Sequence, residues 1–198
     1  MRIRGLAIGL SAVALLASAC NRKAETPPAA APAAPAPAAA PTPAPAAGFS
    51  HEAGFDAAGY YMTQANVKVG TWRLANMGVG APSDFETWEK GDHSSTFGPI
   101  LFEFEDQASP AQTGETGAET RSGRIRVLPD SYAIDDQQVS FAGHDAKLGA
   151  VSFTGRFDKA ALAEAKVNSS SQMAVLTGTL KVGDKTYDRI SFTYFVGD

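Results

Sequence analysis

Cys20 is the only cysteine in the 198-residue chain. A thiol can be alkylated to a stable thioether, so Cys20 is the one position that could carry a group attached through sulfur. The three residues before it, Ala17, Ser18 and Ala19, are small, as the groove of a signal peptidase requires. A lone cysteine cannot form a disulfide within its own chain, so packing and hydrogen bonds must hold the folded part together.

The segment before Cys20 has the three parts of a secretory signal peptide. Arg2 and Arg4 make its start positive, and residues 6–16 form an apolar run of about eleven residues. A spanning helix needs about 20 apolar residues, so this run is too short to remain in a membrane. We therefore expect residues 1–19 to be removed.

Residues 16–20, Leu-Ala-Ser-Ala-Cys, resemble the lipobox of bacterial lipoproteins. The resemblance implies cleavage between Ala19 and Cys20, a diacylglyceryl group on the sulfur and often acylation of the new amino terminus. Each buried methylene contributes about 0.8 kcal/mol, and two or more chains give stable membrane attachment. In that class an Asp after the cysteine favours the inner membrane, so Asn21 favours the outer membrane, facing the periplasm. The alternative is an ordinary secretory signal with a chance cysteine.

Residues 24–47 are nearly all Ala and Pro, with eight prolines. Prolines this frequent prevent helix, both at their own positions and at the residue before each of them. A disordered, extended linker rising about 3.1 Å per residue would reach up to roughly 70 Å. It would act as a spacer that lifts the domain off the lipid, or alternatively as a Pro-rich recognition segment.

The length of the chain limits the number of domains, and its net charge limits the classes of binding partner. Residues 20–48 form the lipidated linker, and residues 49–198 have the usual size of one domain. The net charge is −4 and becomes about −6 when Arg2 and Arg4 leave with the signal peptide. This excess of acids argues against nucleic acid and against polybasic attraction to anionic lipid.

The domain is predicted to be mainly β, an antiparallel sandwich or barrel with one short helix. Apolar and polar residues alternate in residues 100–105, where Phe102 and Phe104 point one way and Glu103 and Glu105 the other. Asp158 is expected to cap a helix through residue 167. Further strands are predicted at residues 59–77, 124–128, 132–134, 139–141, 151–157, 173–182 and 187–196, the last two joined by a two-residue turn at Gly183-Asp184.

Five segments are assigned from composition alone. Residues with breakers or few packing groups indicate irregular structure, and the pair Phe85 and Trp88 suggests an edge strand. The predictions are an irregular segment at 49–58, a loop at 78–83, an edge strand at 85–90, a long loop or hairpin tip at 106–122 and a type I turn at 128–131.

Catalytic and metal-binding groups are sparse. The chain has no Gly-x-Ser-x-Gly elbow, and His51, His93 and His144 are its only imidazole bases, each beside turn residues. We expect exposed loop histidines, no catalytic residue and no cofactor, with a hydrolase kept as a minor alternative. Two oxygen-rich groups could hold calcium weakly, but we expect solvated acidic surface and no metal: Asp84, Glu86, Glu89, Asp92 and His93, and Glu103, Glu105 and Asp106.

Aromatic residues concentrate in the first half of the domain. Core filling accounts for them most simply, although several exposed together would mark a surface for glycan, lipid or protein. They are Tyr60, Tyr61, Trp72, Phe85, Trp88 and Phe97.

Residues 174–186 resemble the closing hairpin of YceI-like periplasmic lipid-binding proteins, in which a Thr-Gly-x-Leu strand turns over a glycine. The resemblance implies a barrel that holds an apolar ligand. The anchor, the spacer and the absence of a catalytic motif favour instead a non-enzymatic envelope lipoprotein. Its β-domain would bind or scaffold an envelope protein, glycan or lipid.

Overall fold

The computed structural model of the protein describes residues 48–113 and 119–196. Cys20, the cleavage position at Ala19 and the linker lie outside the described residues. The strands are β1 (Phe49–His51), β2 (Gly59–Thr63), β3 (Lys68–Val69), β4 (Trp72–Val79), β5 (Ile100–Asp106), β6 (Ala111–Thr113), β7 (Glu119–Arg121), β8 (Arg124–Val127), β9 (Pro129–Ile134), β10 (Gln138–Asp145), β11 (Gly149–Phe157), β12 (Leu176–Val182) and β13 (Lys185–Phe195), and the helices are α1 (Pro82–Glu89) and α2 (Lys159–Val167).

One curled sheet contains eleven of the strands, in the order β1-β9-β10-β11-β12-β13-β2-β4-β5-β8, with β3 paired to β4. Every neighbouring pair is antiparallel except β1 and β9, which are parallel. The sheet is an open half-barrel, which confirms the predicted class of mainly antiparallel β structure. Two stacked sheets, the sandwich alternative, are not what the described residues form.

The two edges of the sheet are linked by the chain itself. β8 lies at one edge, and the chain continues through Leu128 into β9 near the other edge. The predicted type I turn at residues 128–131 is therefore wrong: Pro129 is the first residue of a strand, where proline is tolerated. A side chain at Gly143 would meet the Leu128 carbonyl oxygen, so this close approach requires glycine.

Phenyl rings fill the concave side of the sheet. The centroid of Phe102 lies 5.0 Å from that of Phe141 and 5.6 Å from that of Phe153, which in turn lies 5.6 Å from that of Phe192. All four side chains are at most 1% exposed. The alternation predicted for β5 is confirmed, because Phe102 and Phe104 face this core.

Residues 85–90 do not form the predicted edge strand, since most of them belong to helix α1. Phe85 and Trp88 are three residues apart, which places them on one face of a helix but on opposite faces of a strand. Both are buried on that face, and Pro82 occupies the first turn, where its missing N–H costs nothing. The described residues thus contain two helices where one was predicted.

The second helix is the predicted one. Asp158 precedes α2, and its carboxylate accepts a hydrogen bond of 3.0 Å from the backbone N–H of Ala161. The helix ends at Val167, with Asn168 at its C-cap. Ala161, Leu162 and Ala165 form its buried face.

The predicted hairpin near the end of the chain is present. Val182 pairs with Lys185 across Gly183-Asp184, and Gly183 has φ +56°, as expected of a two-residue turn with glycine first. In the segment at 106–122, predicted as a long loop or a hairpin tip, β6 pairs antiparallel with β7, and residues 114–118 lie outside the described residues.

Two segments predicted as irregular contain strand. Residues 49–51 form β1, which pairs in parallel with β9, and residues 78–79 complete β4. Neither described helix is long and apolar enough to cross a membrane.

Candidate functional site

A groove of about 350 Å³ lies on the outer face of the sheet, where β2, β4, β5 and β8 run side by side. Two aromatic side chains, Tyr60 and Phe97, line it together with the polar side chains of Asn76, Glu103 and Arg126. Tyr60 is 46% exposed and Phe97 44% exposed. The groove therefore joins open aromatic surface to a small polar group, which is the usual composition of a ligand site.

Strand register places these residues together. Tyr60 lies opposite Gly78 on the neighbouring strand, and Gly78 lies opposite Leu101 on the next one. Tyr61 follows Tyr60 along the chain, and Phe102 follows Leu101. Both Tyr61 and Phe102 are fully buried and face the core. Because side chains alternate along a strand, Tyr60 and Leu101 must project from the opposite, outer face.

Glycines form much of the groove lining. Gly59, Gly78, Gly80 and Gly98 all border it, so a ligand can approach the backbone closely. A Cβ added at Gly78 would lie 3.4 Å from Leu101 Cγ and 3.9 Å from the Tyr60 ring, and the residue does not need a positive φ. Its lack of a side chain leaves an open floor beside the Tyr60 ring.

Glu103 is a buried carboxylate on this outer face, with 6% of its surface exposed. Arg126 Nε donates to Glu103 Oε2 at 2.8 Å, and Arg124 Nη1 donates to Glu103 Oε1 at 3.0 Å. Arg124 also lies 3.4 Å from the carboxylate of Glu105. The two guanidinium groups fix the Glu103 side chain and balance the two carboxylates.

The loop that carries Phe97 is tied to the same group. Ser94 Oγ accepts hydrogen bonds of 3.2 Å from the backbone N–H groups of Thr96 and Phe97. Arg126 Nη1 donates to the Thr96 carbonyl oxygen at 3.4 Å. The exposed Phe97 ring is therefore held at the groove by local turn bonds and by Arg126.

The three histidines lie apart from this groove. His51 stacks on Phe85 at 4.1 Å, and His93 stacks on Trp88 at 4.2 Å. His51 and His144 lie in strands, so the predicted loop position is right only for His93. Within residues 48–113 and 119–196 no hydrogen bond joins a serine hydroxyl to a histidine ring.

Among the residues that the structure describes, His144 is the one histidine that contacts a carboxylate. Its Nδ1 lies 2.6 Å from Asp130 Oδ2, and both side chains are exposed. The hydrogen bond to Asp130 and its negative charge raise the pKa of the His144 imidazole above its ordinary value. In the described part of the chain no hydroxyl group is hydrogen-bonded to this pair, which forms an exposed contact on the surface.

The acidic groups are engaged in local structure. Asp84 accepts a hydrogen bond from a backbone N–H at the start of α1. Glu86 pairs with Lys90 on that helix, and Glu89 accepts a hydrogen bond from the Tyr132 hydroxyl. Among the residues that the structure describes, no three acidic or histidine side chains are grouped to hold a metal.

A second hollow, of about 440 Å³, lies at the turn between β9 and β10. Asp135 accepts hydrogen bonds from the backbone N–H groups of Gln137 and Gln138. Asp136 accepts a hydrogen bond of 2.7 Å from the Gly54 N–H, which lowers the pKa of its carboxyl group. The carboxylates of Asp135 and Asp136 therefore stabilise the fold of the chain itself. For this reason the hollow is a weaker candidate for a ligand site than the groove.

The predicted aromatic residues divide into two sets. Tyr61, Phe85 and Trp88 fill the core, as expected. Tyr60 and Phe97 are exposed, the alternative that would mark a binding surface. Trp72 is half-buried, with Lys147 Nζ 4.9 Å from its ring centroid.

Sequence analysis missed Asn76, Gly78, Gly80 and Arg126 as candidate residues. Gly78 and Gly80 fall in the segment predicted as a loop, whereas Gly78 belongs to β4 and Gly80 is the residue after that strand ends. Arg126 alternates with apolar neighbours, so its outward direction was evident, but its contact with Glu103 depends on register between strands.

The chain matches no protein-family model, no curated protein and no solved structure. The candidate site therefore depends on its geometry and chemistry alone.

Proposed function

We propose that the protein is a bacterial envelope lipoprotein, anchored through lipid on Cys20, whose β-domain binds an envelope component in the groove beside Tyr60 and Phe97. The anchor follows from the signal-like start and the lone cysteine, and outer-membrane attachment facing the periplasm from Asn21. The binding surface follows from the groove. The role is non-enzymatic.

The observation that carries the binding function is the pairing of exposed rings with a rigid polar group. Contact between exposed aromatic side chains and water costs free energy until a partner covers the rings, and clusters of such side chains mark interaction sites. Here Glu103 is already desolvated and held by two arginines, so little ordering is required when a ligand arrives.

The packed interior favours this function over the alternative of an apolar ligand inside a barrel. Such a ligand needs a lumen, whereas rings of Phe102, Phe141 and Phe153 are in contact across the concave side. Binding there would require these side chains to move apart, with loss of close packing.

Labelled palmitate tests the anchor. Wild-type protein expressed in its bacterial host should incorporate the label and partition with membranes, and Cys20→Ala should do neither. Absence of label from the wild type, or label that persists in Cys20→Ala, would exclude the lipoprotein assignment.

Co-sedimentation tests the binding surface. Wild-type protein in detergent micelles is mixed with detergent-washed, insoluble envelope material, so that lipid partitioning makes no contribution. Tyr60→Ala and Phe97→Ala should reduce sedimentation, while Met173→Ala, which changes an equally exposed apolar residue outside the groove, should not. Equal sedimentation of all four proteins would contradict the groove as binding site.

A further inference from the structure

We propose that the groove takes a neutral glycan, with a pyranose ring lying against Tyr60 and Phe97 and its hydroxyl groups meeting Asn76, Glu103 and Arg126. This inference rests on the proposed function and names the ligand class of that same groove. It is argued from the charges of the lining, the free hydrogen-bonding capacity and the place of the groove on the sheet.

The charge of the lining selects an uncharged ligand. The lining contains one carboxylate, Glu103, and one guanidinium, Arg126, and these neutralise each other at 2.8 Å. Arg124 and Glu105 extend the same balanced row. The buried carboxylate of Glu103 would repel an anionic polymer, and the two arginines would repel a cationic one.

The polar group has hydrogen-bonding capacity left for hydroxyls. Within the part of the chain that the structure describes, Arg126 uses two of its five N–H donors, on Glu103 and on Thr96. The Glu103 carboxylate accepts one hydrogen bond at each oxygen and has about four lone-pair sites. The Asn76 amide has no partner among the described residues. Acceptors and donors therefore lie side by side, as adjacent sugar hydroxyls require.

The rest of the lining suits the flat face of a sugar ring. Aromatic faces carry partial negative charge and attract the C–H groups that one side of a pyranose presents. The open floor at Gly78 lets a flat ring approach the sheet beside Tyr60. A volume of about 350 Å³ is at the small end of ligand pockets, which indicates a short stretch of glycan.

Two other ligand classes fit less well. An extended peptide binds a sheet through main-chain hydrogen bonds at an edge, whereas β2, β4 and β5, which carry most of the lining, are each paired on both sides. An apolar lipid chain would cover Asn76 and Arg126 without hydrogen-bonding them, which costs free energy.

The test is titration of the full-length lipidated protein in detergent micelles with defined probes, followed by calorimetry or amide chemical shifts. The probes are neutral tetrasaccharides of glucose and of N-acetylglucosamine, an anionic oligogalacturonate and an Ala/Pro peptide. A neutral tetrasaccharide should bind, and Tyr60→Ala or Phe97→Ala should weaken it about tenfold or more. Gly78→Ala should also weaken binding without loss of stability, and Met173→Ala should leave it unchanged.

The outcomes separate the two proposals. Binding of the peptide or the anionic probe alone, lost in Tyr60→Ala, would overturn the glycan class while supporting a binding groove. Failure of both neutral saccharides while washed envelope material still sediments the protein through Tyr60 would likewise overturn the glycan class alone. Saccharide binding that ignores all groove variants would overturn the assignment of the glycan to this groove.

Discussion

Arg126 Nε donates a hydrogen bond of 2.8 Å to Glu103 Oε2 on the outer face of the sheet. The Glu103 side chain is 8% exposed, whereas that of Arg126 is 48% exposed. Removing the arginine leaves a buried carboxylate with one partner fewer, while removing the glutamate leaves an arginine that water can reach. The pair thus anchors the polar end of the groove, and its strength can be measured.

Glu103→Ala should lower the free energy of unfolding by about 1–3 kcal/mol, because hydrogen bonds to a charged, buried group are lost. Denaturant unfolding of Glu103→Ala, Arg126→Ala and the double variant gives the coupling energy, expected at about 0.5–3 kcal/mol. The exposed pair of Glu86 and Lys90 is the control and should couple by about 0.5 kcal/mol or less. Equal coupling for both pairs would show that Glu103 holds nothing in place.

Two glycine substitutions should have opposite effects on stability. A Cβ at Gly178 would meet the Thr154 carbonyl oxygen and the Phe153 ring, so Gly178→Ala should cost about 1–3 kcal/mol. Gly78→Ala makes only ordinary contacts and should be neutral or stabilising by up to about 1 kcal/mol. Thermal unfolding measures both, and a stable Gly178→Ala would contradict the packing described for the core.

Asp158→Ala should destabilise the protein by about 1 kcal/mol, because the Ala161 N–H loses its capping acceptor. Asp158→Asn keeps an acceptor oxygen and should recover most of the loss. Denaturant midpoints distinguish the two variants. If Asn and Ala were equally harmful, the charge rather than the cap would be the source of the stability.

The His144 titration midpoint should lie above 6.5, because Asp130 stabilises the imidazolium form. A raised folded pKa means that the pair stabilises the fold below about pH 6.5 and that this stability is lost as the pH rises through the folded pKa. The midpoint is measured from the proton chemical shifts of His144 as a function of pH. It should be lower in Asp130→Asn and should fall less in Asp145→Asn. A midpoint unchanged in Asp130→Asn would contradict the contact.

The sequence predicts correctly those elements that are determined by residues close to one another along the chain. The alternation in β5, the cap at Asp158 and the turn at Gly183 all appear where the sequence places them. The edge strand predicted at residues 85–90 is wrong, because Phe85 and Trp88 are three residues apart and share a face in a helix but not in a strand.

Features that depend on distant residues could not be predicted. The types of residues 49–51 alone do not indicate a parallel pairing with β9. The residues near Pro129 likewise do not indicate that the chain passes from one edge of the sheet to the strand beside the other edge. The groove is of this kind: strand register places Tyr60 on its outer face, whereas Phe97 comes from a separate loop that is hydrogen-bonded to Arg126 through Thr96.

The most direct test of a binding groove is the location of ligand contact. Amide chemical shifts of the full-length protein are recorded during titration with soluble fragments released from bacterial envelope material. The largest changes should occur at Tyr60, Gly78 and Phe97, and they should be much smaller in Tyr60→Ala at the same ligand concentration. Changes centred on the phenyl-lined interior around Phe153, with none at the groove, would contradict binding in the groove.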